Sequence, residues 1–392
     1  MAALHLSPSI PRRPSLRHLP AALGLALWGV GLLFWPGFVR DSVAQSTLYC
    51  ITSLVPSLFP FMVLASACMR SPGGAVLGKL LSPLTRRVFR LPACCGAALL
   101  LSFFGGYPAG ARCVSLLWEQ QAINREQAGR MLLFCINPGP AFVVTFLGYG
   151  VLGNPAQGWL LFFSVSLGSL LLGLLSGLGK PLPPQEETRA APPPAGVLPA
   201  AVWDASSAVV KMCGCILLFA GWSALLRRSG LWQEAVGLLS STGVLSREAA
   251  AVCLSFFLEV TGGTGEAARL GAGTALYALG LGFGGLCIHL QVFSFFHDFP
   301  CPRWKFFLFR LLHGIGSLGI YLVLERFLPR ESQLVWTSAA VPLSYGGTAS
   351  TWAGGLSLVL LCGAFLVFTS QAQKGKDPLR PRKNHGTMEQ EN

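Results

Sequence analysis

Residues 99–112 read Leu-Leu-Leu-Ser-Phe-Phe-Gly-Gly-Tyr-Pro-Ala-Gly-Ala-Arg. The apolar stretch around them, 93–118, is interrupted at Gly105-Gly106-Tyr107-Pro108-Ala109-Gly110. That leaves two halves of about a dozen residues or fewer, where a straight crossing needs about 20. A second stretch, 247–268, has the same form around Thr261-Gly262-Gly263-Thr264-Gly265, and its Ser255-Phe256-Phe257 parallels Ser102-Phe103-Phe104. Non-helical backbone at membrane depth is tolerated only where protein or a wet cavity surrounds it. Both stretches therefore read as re-entrant helical hairpins.

The composition agrees with a membrane setting. Of 392 residues, 52% are hydrophobic and 11% charged, against roughly 25% charged in a soluble domain. This excludes a soluble enzyme, a disordered scaffold and a small secreted module. The net charge of +13 reads as Lys and Arg retained on the inner side and not as a nucleic-acid surface. The 12 Cys fall mostly in apolar runs without zinc-type spacing, so no metal site or cofactor is expected, and Cys213-Gly-Cys215 reads as packing.

Eight candidate spans follow from apolar length: 19–39, 46–69, 131–150, 159–179, 205–226, 272–296, 304–325 and 354–371. The first resembles a secretory signal, but with so many spans downstream it is expected to stay uncleaved. With the N-terminus inside and the hairpins returning to their own side, most basic residues share one face. These are Arg12, Arg13 and Arg17, the cluster from Arg70 to Arg90, Arg125 and Arg130, Lys180 and Arg189, Arg303 and Lys305, and the C-terminal tail. The opposite face receives Arg40, Arg227, Arg228, Arg247, Arg269, Arg326 and Arg330. The bias places both termini in the cytoplasm.

The expected architecture is all-α, with about eight transmembrane helices and two re-entrant hairpins. A basic segment and first helix (1–45) precede a first repeat (46–179, hairpin 93–118). A Pro-rich cytoplasmic linker (180–204) leads to a second repeat (205–326, hairpin 247–268). An outer loop and last helix (327–371) and a basic disordered tail (372–392) follow. Each repeat crosses three times, so the second is inverted relative to the first, the pattern of secondary transporters. Matching breaks are expected in one later span of each repeat. In the first, Pro138 and Pro140 around Asn137 cannot donate to a helix ladder. In the second the break is Gly282-Phe283-Gly284-Gly285. Half-helix ends at such breaks can hold a polar solute. The alternative is that the glycines serve close helix packing.

Ionisable groups inside apolar segments usually have a task or a partner. Arg112 follows the first hairpin tip and Glu259 precedes the second; they either bind solute and a coupling ion or pair with each other. Lys211 reads as lining a path or snorkelling to the surface. His289 is a site residue or a packed histidine. Arg310 and His313 share a helix face and line the path or meet lipid headgroups. No nucleophile elbow, His-Glu-x-x-His, Walker loop or paired carboxylates appear, so no enzyme is expected.

Leu58-Phe59-Pro60-Phe61, the Phe104–Arg112 run and Asn137-Pro138-Gly139-Pro140-Ala141-Phe142 resemble the YlbJ-type (SpoVV) sporulation integral membrane proteins. Leu258-Glu259-Val260-Thr261-Gly262-Gly263 and the Gly284–Val292 run in the second half resemble the same family. The likeness spans about residues 46–326, and departs from the family's usual pattern at Gly105-Gly106 and Gly139. It implies the nucleoside-recognition (Gate) superfamily, an architecture similar to concentrative nucleoside transporters, and the outer forespore membrane of a sporulating cell. The implied function is translocation of dipicolinate, a small aromatic dicarboxylate, with no cofactor. The alternatives are nucleoside transport and a non-transporting scaffold for spore-envelope assembly. The candidate solute-binding residues are Gly105, Gly106, Tyr107, Pro108, Gly110, Arg112 and Asn137 in the first half. In the second they are Glu259, Thr261, Gly262, Gly263, Thr264, His289 and Gln291. The expected partners are the solute, the lipid bilayer and a coupling proton or sodium ion, with homo-oligomers left open.

Overall fold

The computed structural model describes residues 19–183 and 196–327. The N-terminal basic segment, most of the linker, the last predicted span and the tail lie outside the described residues. All regular structure among the described residues is helical. Helix α1 (Leu19–Phe34) stops at Trp35, and Pro36 opens α2 (Pro36–Arg70). The boundary between the first two predicted spans is thus at residue 35; residues 36–45 belong to the second helix. Pro56 and Pro60 remove two backbone donors from α2. The helix accommodates this by a wider π turn at Cys50–Leu54, where Val55 N–H donates to Cys50 O.

After α2 come the short helix α3 (Pro72–Pro83), capped by Ser71, and the hairpin α4 (Cys95–Phe104) and α5 (Gly106–Glu119). The hairpin's two ends meet, with Cys94 Sγ 3.7 Å from Ala122 O. Next are α6 (Arg125–Leu132), opened by an Asn124/Gln127 capping box, the π-helical α7 (Ala141–Val151) and α8 (Pro155–Gly177). The second series has the same order. It runs α9 (Val197–Arg228), α10 (Leu231–Ser241), hairpin α11 (Arg247–Leu258) and α12 (Val260–Arg269), the broken pair α13 (Thr274–Phe283) and α14 (Gly285–Phe293), then α15 (Arg303–Leu324).

Five of the described helical stretches are long and apolar enough to cross a membrane: α2, α8, α9, α13–α14 taken together, and α15. The predicted span 131–150 is not one continuous helix. Residues 133–139 are irregular and buried, because Pro138 and Pro140 lack N–H groups and the chain turns between them. Equivalent elements of the two series pack on each other, α2 on α9 and α8 on α15; within the series α7 lies on α8 and α13 on α15. Two of these contacts rest on facing glycines, Gly148 with Gly158 and Gly282 with Gly314, as expected where helices associate by close backbone approach.

Charged pairs link neighbouring helices. Arg70 and Arg112 meet Asp204, Lys180 meets Glu126, and Arg125 meets Asp298. Arg227 and Arg269 share Glu266 at the C-terminal ends of α9 and α12.

Gly110 is where α5 lies tightest on the irregular segment: a Cβ there would sit 2.0 Å from Cys135 O. Gly110→Ala should therefore cost about 1–3 kcal/mol as an overpacking change, lowering the unfolding midpoint of the purified protein in detergent. Gly265→Ala, whose Cβ meets nothing within 4 Å, should leave that midpoint unchanged or raise it slightly.

Candidate functional site

Each hairpin tip rests on the broken segment of its own series. Gly106 (φ +79°) begins α5 in a left-handed conformation that suits glycine. It lies against Gly139, whose own Cβ would fall 2.9 Å from Phe104 O. In the second series Gly284 (φ +85°) ends α13. Gly285 then packs on the tip of the other hairpin, where a Cβ would be 2.7 Å from Phe256 O and 3.3 Å from Glu259 Cα.

A helix stopped this way leaves its last carbonyls without partners. Two side chains from elsewhere supply them. Tyr107 Oη, on the first hairpin tip, donates to Leu281 O at 2.7 Å. Arg310, on α15, donates from Nε to Phe283 O at 3.1 Å and from Nη2 to Gly282 O. Its Nη1 reaches the other break and donates to Ile136 O at 2.7 Å. Ser169 of α8 donates to Phe134 O in that same break. Arg310 is fully buried and forms no salt bridge among the described residues. The cation sits at the negative end of the α13 dipole.

On the broken segments and on α15, several buried polar atoms have no hydrogen-bond partner among the described residues. Asn137 gives Nδ2 to Phe134 O (3.0 Å) but its Oδ1 is unpartnered. Gln291 gives Nε2 to Cys287 Sγ (3.3 Å) and leaves Oε1 unpartnered. His289 has both ring nitrogens unpartnered and is ringed edge-on by Phe283, Phe306 and Phe307, with centroids at 4.9, 5.3 and 4.8 Å. His313 places Nε2 at 2.8 Å from Val165 O and leaves Nδ1 without a partner. Two half-helices, α5 and α14, also begin inside the bundle with no side-chain cap.

Arg112 and Glu259 do not pair with each other. Arg112 donates to Asp204 (3.0 Å), Glu119 (2.7 Å) and Ser115 (2.8 Å), and Asp204 also accepts from Ser66 and Arg70. The space beside this cluster is about 10 Å³, too little for an organic solute. Glu259 caps its own helix instead, accepting from Thr261 N (2.8 Å), Gly262 N (2.6 Å) and the Thr261 hydroxyl. A carboxylate there satisfies two backbone donors and complements the α12 dipole. Thr264 returns its hydroxyl to Val260 O at 2.7 Å, and Gly263 packs against the Phe256 ring. Gly105 and Pro108 contribute tip backbone and, with Gly106, Tyr107, Asn137, His289 and Gln291, belong to the hairpin tips and breaks. Lys211 lies over the Phe295 ring at 5.7 Å. The sequence reading missed Asp204 as the partner of Arg112 and the carbonyl clamp of Arg310. The available signal for the second was a guanidinium in an apolar run with no acid within a turn.

One curated protein shares part of this chain. The chain is similar to a sporulation integral membrane protein. The relative is "Sporulation integral membrane protein YlbJ" of Bacillus subtilis (strain 168), 33% identical over 119 residues. The match takes in 30% of this chain and 29% of the relative's length. No family model and no solved structure matches the chain.

The Arg112–Asp204 pair has side chains only 18% and 11% exposed. Arg112→Gln and Asp204→Asn should each lower stability. The double variant should recover part of the loss, with a coupling of about 0.5–3 kcal/mol, read from denaturant unfolding of all four proteins. Additive losses would show that the two charges do not interact.

Proposed function

We propose that this chain moves a small anionic solute across a membrane of a sporulating cell, and that dipicolinate is that solute. The observation that carries the reading is Arg310: a fully buried guanidinium without a carboxylate, lying between the two helix breaks. A buried cation is costly and asks for a partner. Unpartnered Asn137 Oδ1 and Gln291 Oε1 and two uncapped half-helix N-termini supply the remaining groups for a polar ligand. The equal order of elements in the two series supports an inverted Gate-like repeat, with the hairpins opening alternately to either side. In this reading the chain is no enzyme, both termini are cytoplasmic, and the membrane is the outer forespore membrane. Sporulation and the choice of dipicolinate rest on the likeness to the YlbJ-type proteins, and a proton or sodium ion is the coupling species.

Uptake of labelled dipicolinate and labelled uridine into vesicles holding the purified protein tests this. Dipicolinate should enter and uridine should not compete. Arg310→Gln should weaken apparent affinity about ten- to a hundredfold, from a charged hydrogen bond of about 1.5–3 kcal/mol at 1.4 kcal/mol per decade. Arg310→Lys should recover part of it, lacking the planar fork. Uridine uptake alone would make the chain a nucleoside carrier. Uptake of neither solute by folded protein would favour the scaffold reading.

A further inference from the structure

A second cavity lies away from the helix breaks, where the start of α6, the end of α8 and the start of α15 come together. It has a volume of about 270 Å³ and is lined in part by Glu126, Arg130, Lys180, Lys305 and Phe309. Arg130 is 7% exposed. Its Nη1 is held by Arg90 O at 3.0 Å and its Nη2 by Phe89 O, while Nε has no partner. The guanidinium is thus fixed in place by backbone, without an anion on it. Lys180 pairs with Glu126 at 2.6 Å, and its ammonium holds that carboxyl below the usual range. Lys305 forms no ion pair among the described residues. The α15 N-terminus adjoining the cavity has neither a side-chain cap nor an acidic residue in its first turn. Three cations against one carboxylate, beside a free helix N-terminus, make a site for an oxyanion.

The surroundings indicate which oxyanion. Leu167, Leu171 and Leu175 on α8 are exposed at 43%, 44% and 57%, and Leu308 and Leu312 on α15 at 43% each. These positions recur at helical spacing, so each helix presents an apolar stripe leading to the basic cavity. Trp304, 68% exposed, stands at the start of the α15 stripe, where an interfacial aromatic belongs. We infer that this cavity binds the phosphate of an anionic phospholipid, whose acyl chains lie along the two leucine stripes. Basic pockets between transmembrane helices recognise headgroups by this chemistry. A soluble phosphate would use the same cations but not the stripes.

The test is thermal unfolding of the purified full chain in neutral detergent. Dioleoylphosphatidylglycerol should raise the midpoint by roughly 3–6 °C, as expected for a ligand well above its dissociation constant. Dioleoylphosphatidylcholine should raise it by much less. The double variant Lys180→Gln/Lys305→Gln should lose the difference between the lipids. A control, Lys79→Gln/Arg87→Gln, removes two exposed charges outside the cavity and should keep it. Equal shifts from both lipids, or a phosphatidylglycerol shift unchanged in Lys180→Gln/Lys305→Gln, would overturn the inference. If millimolar inorganic phosphate alone reproduced the full shift, the site would hold phosphate from solution and the bilayer source would be wrong.

Discussion

A helix broken inside an apolar bundle must find partners for carbonyls and amides that water cannot reach. The rest of this structure follows from that constraint. Both series break a helix after the hairpin, at 133–139 and at Gly284. Both breaks are repaired by side chains on the long helix that ends the series: Ser169 on α8 for one, Arg310 on α15 for the other. Arg310 goes further and holds a carbonyl from each break. The two series are joined at that point by hydrogen bonds to the backbone carbonyls of residues 136, 282 and 283. The glycines and prolines permit the breaks; the guanidinium is what makes them affordable.

The break of the first hairpin and the later breaks were legible in sequence because Gly and Pro act locally. Gly105-Gly106, Asn137-Pro138 and Gly284-Gly285 interrupt helices. The second hairpin breaks at Glu259 instead. Residues 261–265, read as its interruption, lie inside α12, since glycines in a row can still be helical when a cap starts the helix ahead of them. What could not be read was pairing at a distance. Arg112 and Glu259 looked equivalent, each an isolated charge beside a glycine-rich tip. Yet the partner of Arg112 is Asp204, 92 positions away, while Glu259 serves the backbone two and three residues ahead. The second assignment was within reach, since an acid directly before a restarted helix is a capping signal. The first depended on α2, α5 and α9 meeting, which no local pattern encodes. The boundary at Trp35 was misplaced for a related reason: hydropathy averages over a window and passes smoothly across a one-residue stop.

The two clusters of charge and the central clamp differ in what they ask of the protein. Arg112–Asp204–Arg70 is an ion-pair network with its own neutralisation. Arg310 has hydrogen bonds but no counter-charge in the described residues. Compensated pairs tolerate burial and hold helices together; the buried Arg310 cation is instead held by backbone carbonyls and the C-terminal dipole of α13. Within the candidate set that the sequence spread over both hairpins and both breaks, that asymmetry sets Arg112 apart as a helix-linking pair and adds Arg310, which the sequence reading left out of the set.

The lengths of α2 and α9 carry a separate consequence. At 35 and 32 residues and about 1.5 Å per residue, each is near 50 Å long, while the hydrocarbon core of a bilayer is about 30 Å. They pack on one another along this length, with Ser42 Oγ donating to Ala220 O at 3.0 Å. They therefore tilt together or protrude together. An overlong pair of this kind makes the protein responsive to membrane thickness: a thicker bilayer relieves the mismatch and a thinner one forces tilt. Lipid composition would then act on the angle between α2–α9 and the neighbouring helices, a mechanical input that involves no ligand at all.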